Sequence, residues 1–435
     1  MRETLRRSDP TLVAIIAEGF LSRLSFGLIS FALPLYAYHL GLNLAQIGVL
    51  ASLNLIVAIV LKPLMGWVAD RWGLKPSLTT SILMRTSLCL LLVGADEPWQ
   101  LFAIRILHGV SISLRDPAVN ALIAEHGGKK TIASSFAWYQ TAKSLAGASG
   151  KAAAGILLAV SSGSFSFVFA SAFVLSALPI LVVIRFVRET KQPSIRAGEV
   201  AGLVAPPPDD ADVDQASTRP STFPFVLLGF LISGTATMLT NLFPLLATEY
   251  AGLSTAQAGM VYVIATLFIL SGPLWGWLSD HVSHRLVFFV RSVSNTLSSL
   301  VYLLVPNFAG VVVGRSLDDM GKAAYRPAWG ALMAQVSSYD RRRRARTMSI
   351  MSMGEDAGEV VGPILAGFLW GTWGVAALLL TRAGLAVLSE IYTVFVTRSL
   401  RSSDAPDRDD EPDLSTPPNT VELEVAVARK GAPLD

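Results

Sequence analysis

Cysteine is nearly absent from this chain: one residue, Cys89, in 435. It lies inside an apolar run, which excludes a disulfide framework and any cysteine-based metal site. Histidine is scarce too, with five scattered residues and no metal-ligand spacing among them. His281 and His284 share a short polar interval, where titration is the expected role rather than zinc. No glycine-rich loop joins a strand to a helix, so ATP-driven work has no basis in the sequence. The chain does not read as an enzyme, and no metal or cofactor is expected. Charge is sparse at 15% of residues, against 52% hydrophobic and a mean hydropathy of +0.52. Such a chain is too apolar to be soluble at this length. Its net charge of +3 does not point to nucleic acid, because the basic residues sit at the ends of apolar runs and not in one patch.

The apolar runs themselves are long. Arg2, Arg6 and Arg7 precede a run from about 11 to 38, longer than the ~20 residues that cross a bilayer. Glu18 and Arg23 interrupt it and no small-residue cleavage site follows, which argues against a signal peptide. Further runs fall at about 47–69, 77–95, 99–125, 133–160 and 165–187, then at 223–249, 257–279, 286–305, 308–335, 347–371 and 374–397. The expected organisation is a short N-terminus (1–10), a six-helix bundle (11–187), a linker (188–222), a second six-helix bundle (223–397) and a tail (398–435). The linker carries Pro206-Pro207-Pro208-Asp209-Asp210 and the tail is rich in Asp, Pro and Ser, so both are expected to be flexible.

Alternate loops differ in charge. One set holds Arg71 and Lys75, Lys129 and Lys130, Arg285, and Arg341 to Arg344 with Arg346. The opposite loops, around Leu42, Asp96, Ser162, Gly252, Asn307 and Thr372, hold no Lys or Arg. We refer to the basic-loop face and the neutral-loop face of the molecule. The positive-inside rule assigns the basic loops, both termini and the linker to the cytoplasm.

The two bundles repeat one another. Pro63-Leu-Met-Gly66-Trp-Val-Ala-Asp70 is echoed 210 positions later by Pro273-Leu-Trp-Gly276-Trp-Leu-Ser-Asp280. Ala45-Gln46-Ile-Gly48 is answered by Ala256-Gln257-Ala-Gly259, Arg105 by Arg315, and Pro117-Ala118 by Pro327-Ala328. Matches that keep their order over so long a stretch mark an internal repeat. The expected fold is therefore an all-α integral membrane protein of twelve transmembrane helices, in two six-helix bundles related by a parallel internal repeat.

With these features the chain resembles the major facilitator superfamily of secondary transporters. The resemblance rests on the twelve spans and on the loop signature G-x-x-x-D-R-x-G-x-K, met by Gly66, Asp70, Arg71, Gly73 and Lys75, with a weaker copy at Gly276, Asp280 and Arg285. It rests also on the fourth span, where Arg105-Ile-Leu-His108-Gly109 follows the pattern R-x-x-Q-G with His in place of Gln. It implies alternating access, in which two bundles rock about a central site near the bilayer midplane. It further implies a small-molecule substrate, protons as the coupling ion, a monomer, and residence in the plasma (inner) membrane. In that setting Gly66 permits close helix approach, and Asp70, Arg71 and Lys75 pair or meet a helix terminus at a cytoplasmic gate. The alternative is that they only fix a tight turn.

Charges within the spans are costly in hydrocarbon and normally face the protein interior. In the fourth span Arg105, His108, Arg115 and Asp116 share one helical face. In the tenth, Arg315, Asp318, Asp319, Lys322 and Arg326 follow i, i+3, i+4, i+7, i+11. The fifth span adds Lys143 and Lys151, the eleventh Glu355, Asp356 and Glu359, and the first Glu18 and Arg23. Counting from the intervening turns sets Asp116 level with Lys143, Arg326 with Glu355 and Lys322 with Glu359. Intramembrane ion pairs Asp116–Lys143 and Arg326–Glu355 are expected. The remainder is a cationic N-terminal half (Arg23, Arg105, His108, Lys151) facing Asp318, Asp319, Asp356 and Glu359. One reading gives the cations and the Asp318–Asp319 pair to a substrate pathway, and the coupling proton to Glu18, Asp319, Asp356 or Glu359. The other has all these charges neutralise one another.

The direction of transport is open. Proton-driven drug exporters of the superfamily resemble one another in G-x-x-x-G-P on the fifth span, whereas here that span reads Gly147-Ala-Ser-Gly150-Lys151. The eleventh span carries Gly358-x-x-x-Gly362-Pro363 instead. Three functions remain: a proton-coupled exporter of small organic molecules, an importer or exchanger of an organic anion, and a non-transporting sensor or assembly protein. A large cytoplasmic domain would favour the last, and none is evident.

Overall fold

A computed structural model describes residues 10–126, 132–188, 222–269, 271, 274–275, 278, 284–338 and 344–403. The first six spans are Pro10–His39, Leu44–Trp72, Leu74–Val93, Pro98–His126, Ile132–Val160 and Phe165–Phe186. The seventh begins as Phe223–Thr237, loosens over 238–242, resumes at Phe243–Leu245 and ends in a π-helical turn, Leu246–Tyr250. Thr255–Ile269, His284–Leu304 and Phe308–Ser338 follow. The last helical stretch, Arg344–Ser403, is broken at Gly374 (φ 84°, ψ 174°) into the eleventh and twelfth spans. The expected twelve helices in two six-helix bundles are the fold.

Proline lies inside several spans, at Pro34, Pro63, Pro117, Pro179 and Pro363. Such breaks are tolerated in membranes because neighbouring helices and local adjustments satisfy the freed carbonyls. Gly73 joins the second and third spans with no loop between them. Its φ of 93° is open to glycine at little cost, and its N–H closes the second span on the Ala69 carbonyl.

The repeated Ala-Gln-x-Gly motif has a physical reading in the structure. In the second span Asn43 Oδ1 accepts from Gln46 N, and Gln46 Oε1 accepts from Asn43 N, both at 2.9 Å. In the eighth, Ser254 Oγ accepts from Gln257 N at 3.2 Å and Gln257 Oε1 from Ser254 N at 2.9 Å. Each is a reciprocal capping box that satisfies two orphan N–H groups at a helix start. Two residues further on, each motif's glycine meets the other half of the protein. A Cβ on Gly48 would lie 2.4 Å from the Pro363 carbonyl oxygen and 3.2 Å from Gly367 Cα; one on Gly367 would lie 2.3 Å from the Leu44 carbonyl. The second crossing is its counterpart. A Cβ on Gly155 would lie 2.4 Å from the Thr255 carbonyl and 2.7 Å from Gly259 Cα.

The second span thus crosses the eleventh, and the fifth crosses the eighth, at backbone contact. Small residues permit this approach. Both crossings are near the neutral-loop face, and one apolar core runs across both halves there, including Phe31, Leu50, Phe243, Tyr262 and Ala366. Phe31 and Phe243 both pack edge-on against the Tyr262 ring, at 6.0 and 5.3 Å. At this face the structure is closed.

The seam is testable by cross-linking. A Cβ on Gly371 would lie 3.7 Å from Leu44 Cβ, within the range a disulfide needs. With Cys89→Ser, the pair Leu44→Cys and Gly371→Cys should oxidise rapidly under mild conditions, as read by mass spectrometry. Adding Gly155→Leu at the other crossing should slow this several-fold. An unchanged rate would mean that the two crossings do not close together.

Candidate functional site

Two buried charge assemblies sit on the basic-loop side of the seam, one in each half. In the N-terminal half Glu18 is fully buried and faces Arg115 of the fourth span. Arg115 Nη2 donates to Oε2 at 2.7 Å and to Oε1 at 2.9 Å, while Nε donates to Oε1 at 3.2 Å. Ser22, one turn along from Glu18, donates to Oε1 at 2.5 Å, and its hydroxyl accepts from Arg85 of the third span. Arg115 also donates to the Tyr139 hydroxyl at 3.0 Å. The result is a hydrogen-bonded chain across four spans, Arg85–Ser22–Glu18–Arg115–Tyr139. Charge-assisted, forked contacts of this kind are the strong ones.

A cavity of about 130 Å³ opens beside this chain. Arg23, Phe26, Arg85, His108, Asp116 and Lys143 line it, with Arg115 at its wall. The His108 ring leans on Phe26 at 5.2 Å, and the Arg23 guanidinium lies 4.9 Å from the same phenyl ring. The Lys143 ammonium lies 5.0 Å from the Tyr139 ring centre.

In the C-terminal half the tenth span supplies its own counter-ions. Asp318 accepts from Lys322 Nζ at 2.8 Å, and Asp319 meets Arg315 at 3.1 Å. Arg382 of the twelfth span is completely buried and also donates to Asp318. Its other N–H groups reach the Thr235 carbonyl and the Ser298 and Ser299 hydroxyls, each at 3.0 Å. Arg291 donates to the Ile232 carbonyl and to Thr235 Oγ1. Between the halves, the Tyr262 ring has Lys151 at 4.9 Å and Arg315 at 4.9 Å. A lysine of one half and an arginine of the other thus meet the same aromatic ring.

Several expectations need correction. Asp116 does not meet Lys143 in this conformation; its ion partner is Arg115 at 3.7 Å. The two were correctly set at one depth, since both line the same cavity, but the neighbouring guanidinium takes the carboxylate. Lys322, expected level with Glu359, pairs with Asp318 and Asp319 one turn back along its own helix. Glu359 is exposed. The carboxylates expected to face the N-terminal cations are therefore held within the C-terminal half, at least at Asp318 and Asp319. Arg105 donates to the Leu50 and Ala51 carbonyls of the second span, at 3.0 and 2.7 Å, so its N–H groups tie the fourth span to the second. Gly66 makes no close approach to the described residues, because a Cβ there would meet none of them within 4 Å.

The remaining positions are placed as follows. Asp70 is exposed, Arg71 lies 3.9 Å over the Trp67 ring, and Lys75 donates to the Ile184 carbonyl at the end of the sixth span, at 3.2 Å. Glu355 accepts from Trp329 Nε1 at 2.8 Å, and Asp356 is half-buried. Gly276 and Asp280, together with the side chains of Arg285 and Arg326, lie outside the described residues; so does the expected Arg326–Glu355 pair. Sequence reasoning missed Arg85, Arg291 and Arg382. Each is a lone arginine within an apolar run, a signal in its own right, but none belongs to a charged stripe.

The Glu18–Arg115 pair should behave as one unit. Removing one partner of a buried pair costs about 3–5 kcal/mol in soluble proteins, because the other charge is left uncompensated. Glu18→Gln and Arg115→Gln should each lower thermal stability in detergent, and the double variant should lose clearly less than the sum. Additive losses would mean that the two side chains are not coupled.

Comparison with known proteins agrees with this architecture. The sequence profile of the Major Facilitator Superfamily matches residues 17–289 and again 225–431. The multidrug resistance protein MdtG of Escherichia coli is 27% identical over 390 residues, which cover 86% of this chain and 91% of MdtG. Among solved structures, a bacterial homologue of the human lysosomal transporter Spinster, inward-facing and occupied, superposes with a TM-score of 0.70. It shares 13% identity, over 91% of this chain and 99% of its own. The nucleoside transporter NupG superposes at 0.64 with 18% identity, over 88% and 98%. The chain belongs to the Major Facilitator Superfamily and is an integral membrane transporter with that fold.

Proposed function

We propose that the protein exports small organic molecules by proton-coupled alternating access. The observation that carries this reading is the closed seam of two glycine crossings on one face, above a polar cavity that lies towards the other. Lys143, on the cavity wall, and Gly155, at the seam, are twelve residues apart on one helix, roughly 18 Å at 1.5 Å per residue. With the basic loops cytoplasmic, as the positive-inside rule assigns them, this conformation is sealed towards the outside. Both termini and the linker are then cytoplasmic, in the inner membrane of a bacterial cell. Opening the seam means separating the second span from the eleventh and the fifth from the eighth. The loop bearing Asp70, Arg71 and Lys75, and its counterpart at Asp280 and Arg285, then form the closing contacts of the opposite face.

Export is favoured by the likeness to a protein named for multidrug resistance. For coupling, the proton acceptor is one of Glu18, Asp319, Asp356 and Glu359. Glu18 has a direct route to the substrate, since protonating it weakens its hold on Arg115 at the cavity wall. The protein acts as a monomer, with no cofactor.

Inside-out vesicles test this reading. With the interior made acid, labelled organic compounds should accumulate, and accumulation should collapse when the pH gradient is dissipated. Glu18→Gln should abolish the gradient dependence while leaving slow exchange. A gradient-independent flux in the parent protein would remove proton coupling, and gradient-driven loss from the vesicles would reverse the direction.

A further inference from the structure

We infer that the N-terminal cavity is an anion site, and that the transported molecule is a small organic anion with a planar apolar part. The inference names the substrate class for the transport function proposed above and rests on that reading only for transport, not for binding.

Charge is the first argument. Arg85, Arg115 and Lys143 stand against Glu18 and Asp116 around this cavity, an excess of one positive charge. Arg23 on its wall adds to the same field. Arg115 alone accounts for both carboxylates: Glu18 holds it through three hydrogen bonds and Asp116 lies 3.7 Å away. Arg85 reaches no carboxylate directly. Its partner is the Ser22 hydroxyl, and its Nε has no partner among the described residues. Lys143 has an aromatic ring beside it rather than an anion. A buried guanidinium and a half-buried ammonium in one cavity, both without a direct anionic partner, are costly unless an anion joins them.

Shape is the second argument. Phe26 and His108 form an aromatic wall on one side of the space, and the volume of about 130 Å³ suits a compact ligand. A planar group can lie against that wall while its carboxylate or phosphonate oxygens accept from Arg85 and Lys143. Arginine is suited to such forked recognition. The reading departs from the sequence-based pathway, because Arg105 is spent on the second span, Lys151 faces Tyr262 at the seam, and the new contacts are Arg85 and Lys143.

The test is equilibrium binding to the full-length protein in nanodiscs, by calorimetry. The probes are phenylphosphonate and benzoate, with benzamide and benzylammonium as neutral and cationic counterparts of similar size. At least one anion should bind while the counterparts do not. Lys143→Gln should weaken it about tenfold or more, and Lys143→Arg should restore most of the loss. Lys143 makes no hydrogen bond or ion pair among the described residues, so this variant should fold even if Arg85→Gln does not. Equal binding of benzamide or benzylammonium, anion affinity unchanged in Lys143→Gln, or no binding of any probe at millimolar concentration would each overturn the inference. Vesicle transport separates the two proposals. Export of uncharged compounds with no anion binding removes only the anion site, whereas anion binding without vesicle flux removes only the transport reading.

Discussion

A charge inside a lipid-embedded bundle is costly unless a counter-charge, a hydrogen-bonding acceptor or an aromatic face meets it, and this requirement orders the interior. The two halves meet it differently, although they descend from one repeated unit. In the N-terminal half the pairing runs between helices, from Glu18 on the first span to Arg115 on the fourth. In the C-terminal half it runs along one helix, with Arg315, Asp318, Asp319 and Lys322 in i,i+3 and i,i+4 contact and Arg382 closing the cluster from the twelfth span. The C-terminal cluster is therefore largely self-contained, while the N-terminal one leaves cationic side chains beside a cavity. Asymmetry between the halves is what turns a repeat into a site.

The second constraint is backbone proximity at the seam. Carbonyl oxygens of Leu44, Pro363 and Thr255 stand where a side chain would be on Gly367, Gly48 and Gly155. Helix starts and helix crossings are linked there, because each capping glutamine precedes the crossing glycine by two residues. The same short motif fixes where a helix begins and how closely it meets the opposite half. Lys151 and Arg315, one from each half, each lie 4.9 Å from the Tyr262 ring centre just beneath, and Arg315 is ion-paired to Asp319. The apolar core around Phe31, Phe243 and Tyr262 favours the closed seam.

Much of this was legible in the sequence. Composition pointed to a lipid solvent and the 210-residue echo to the two bundles, and of the charged stripes Arg105, His108 and Arg115 of the fourth span and Arg315, Asp318 and Asp319 of the tenth are buried. Depth counting brought Asp116 and Lys143 to one cavity. Partner choice was not legible, because a carboxylate chooses among cations within a few ångströms, and a one-turn difference in reach decided for Arg115 over Lys143 and for Asp318 over Glu359. Lone arginines such as Arg85 and Arg382 escaped because pattern reading weighs recurrence, and a single guanidinium has none. Gly66 and Gly48 look alike as letters; only the helix that passes Gly48 distinguishes them.

Alternating access is the central claim, and distance measurement across the neutral-loop face addresses it most directly. Spin labels at Asp96→Cys and Pro306→Cys, in the Cys89→Ser background, report the separation of the two halves by electron–electron resonance in nanodiscs. The account predicts two populations, the shorter matching this structure, whose ratio shifts with pH or with a bound substrate. A single short distance at every pH and ligand concentration would contradict it.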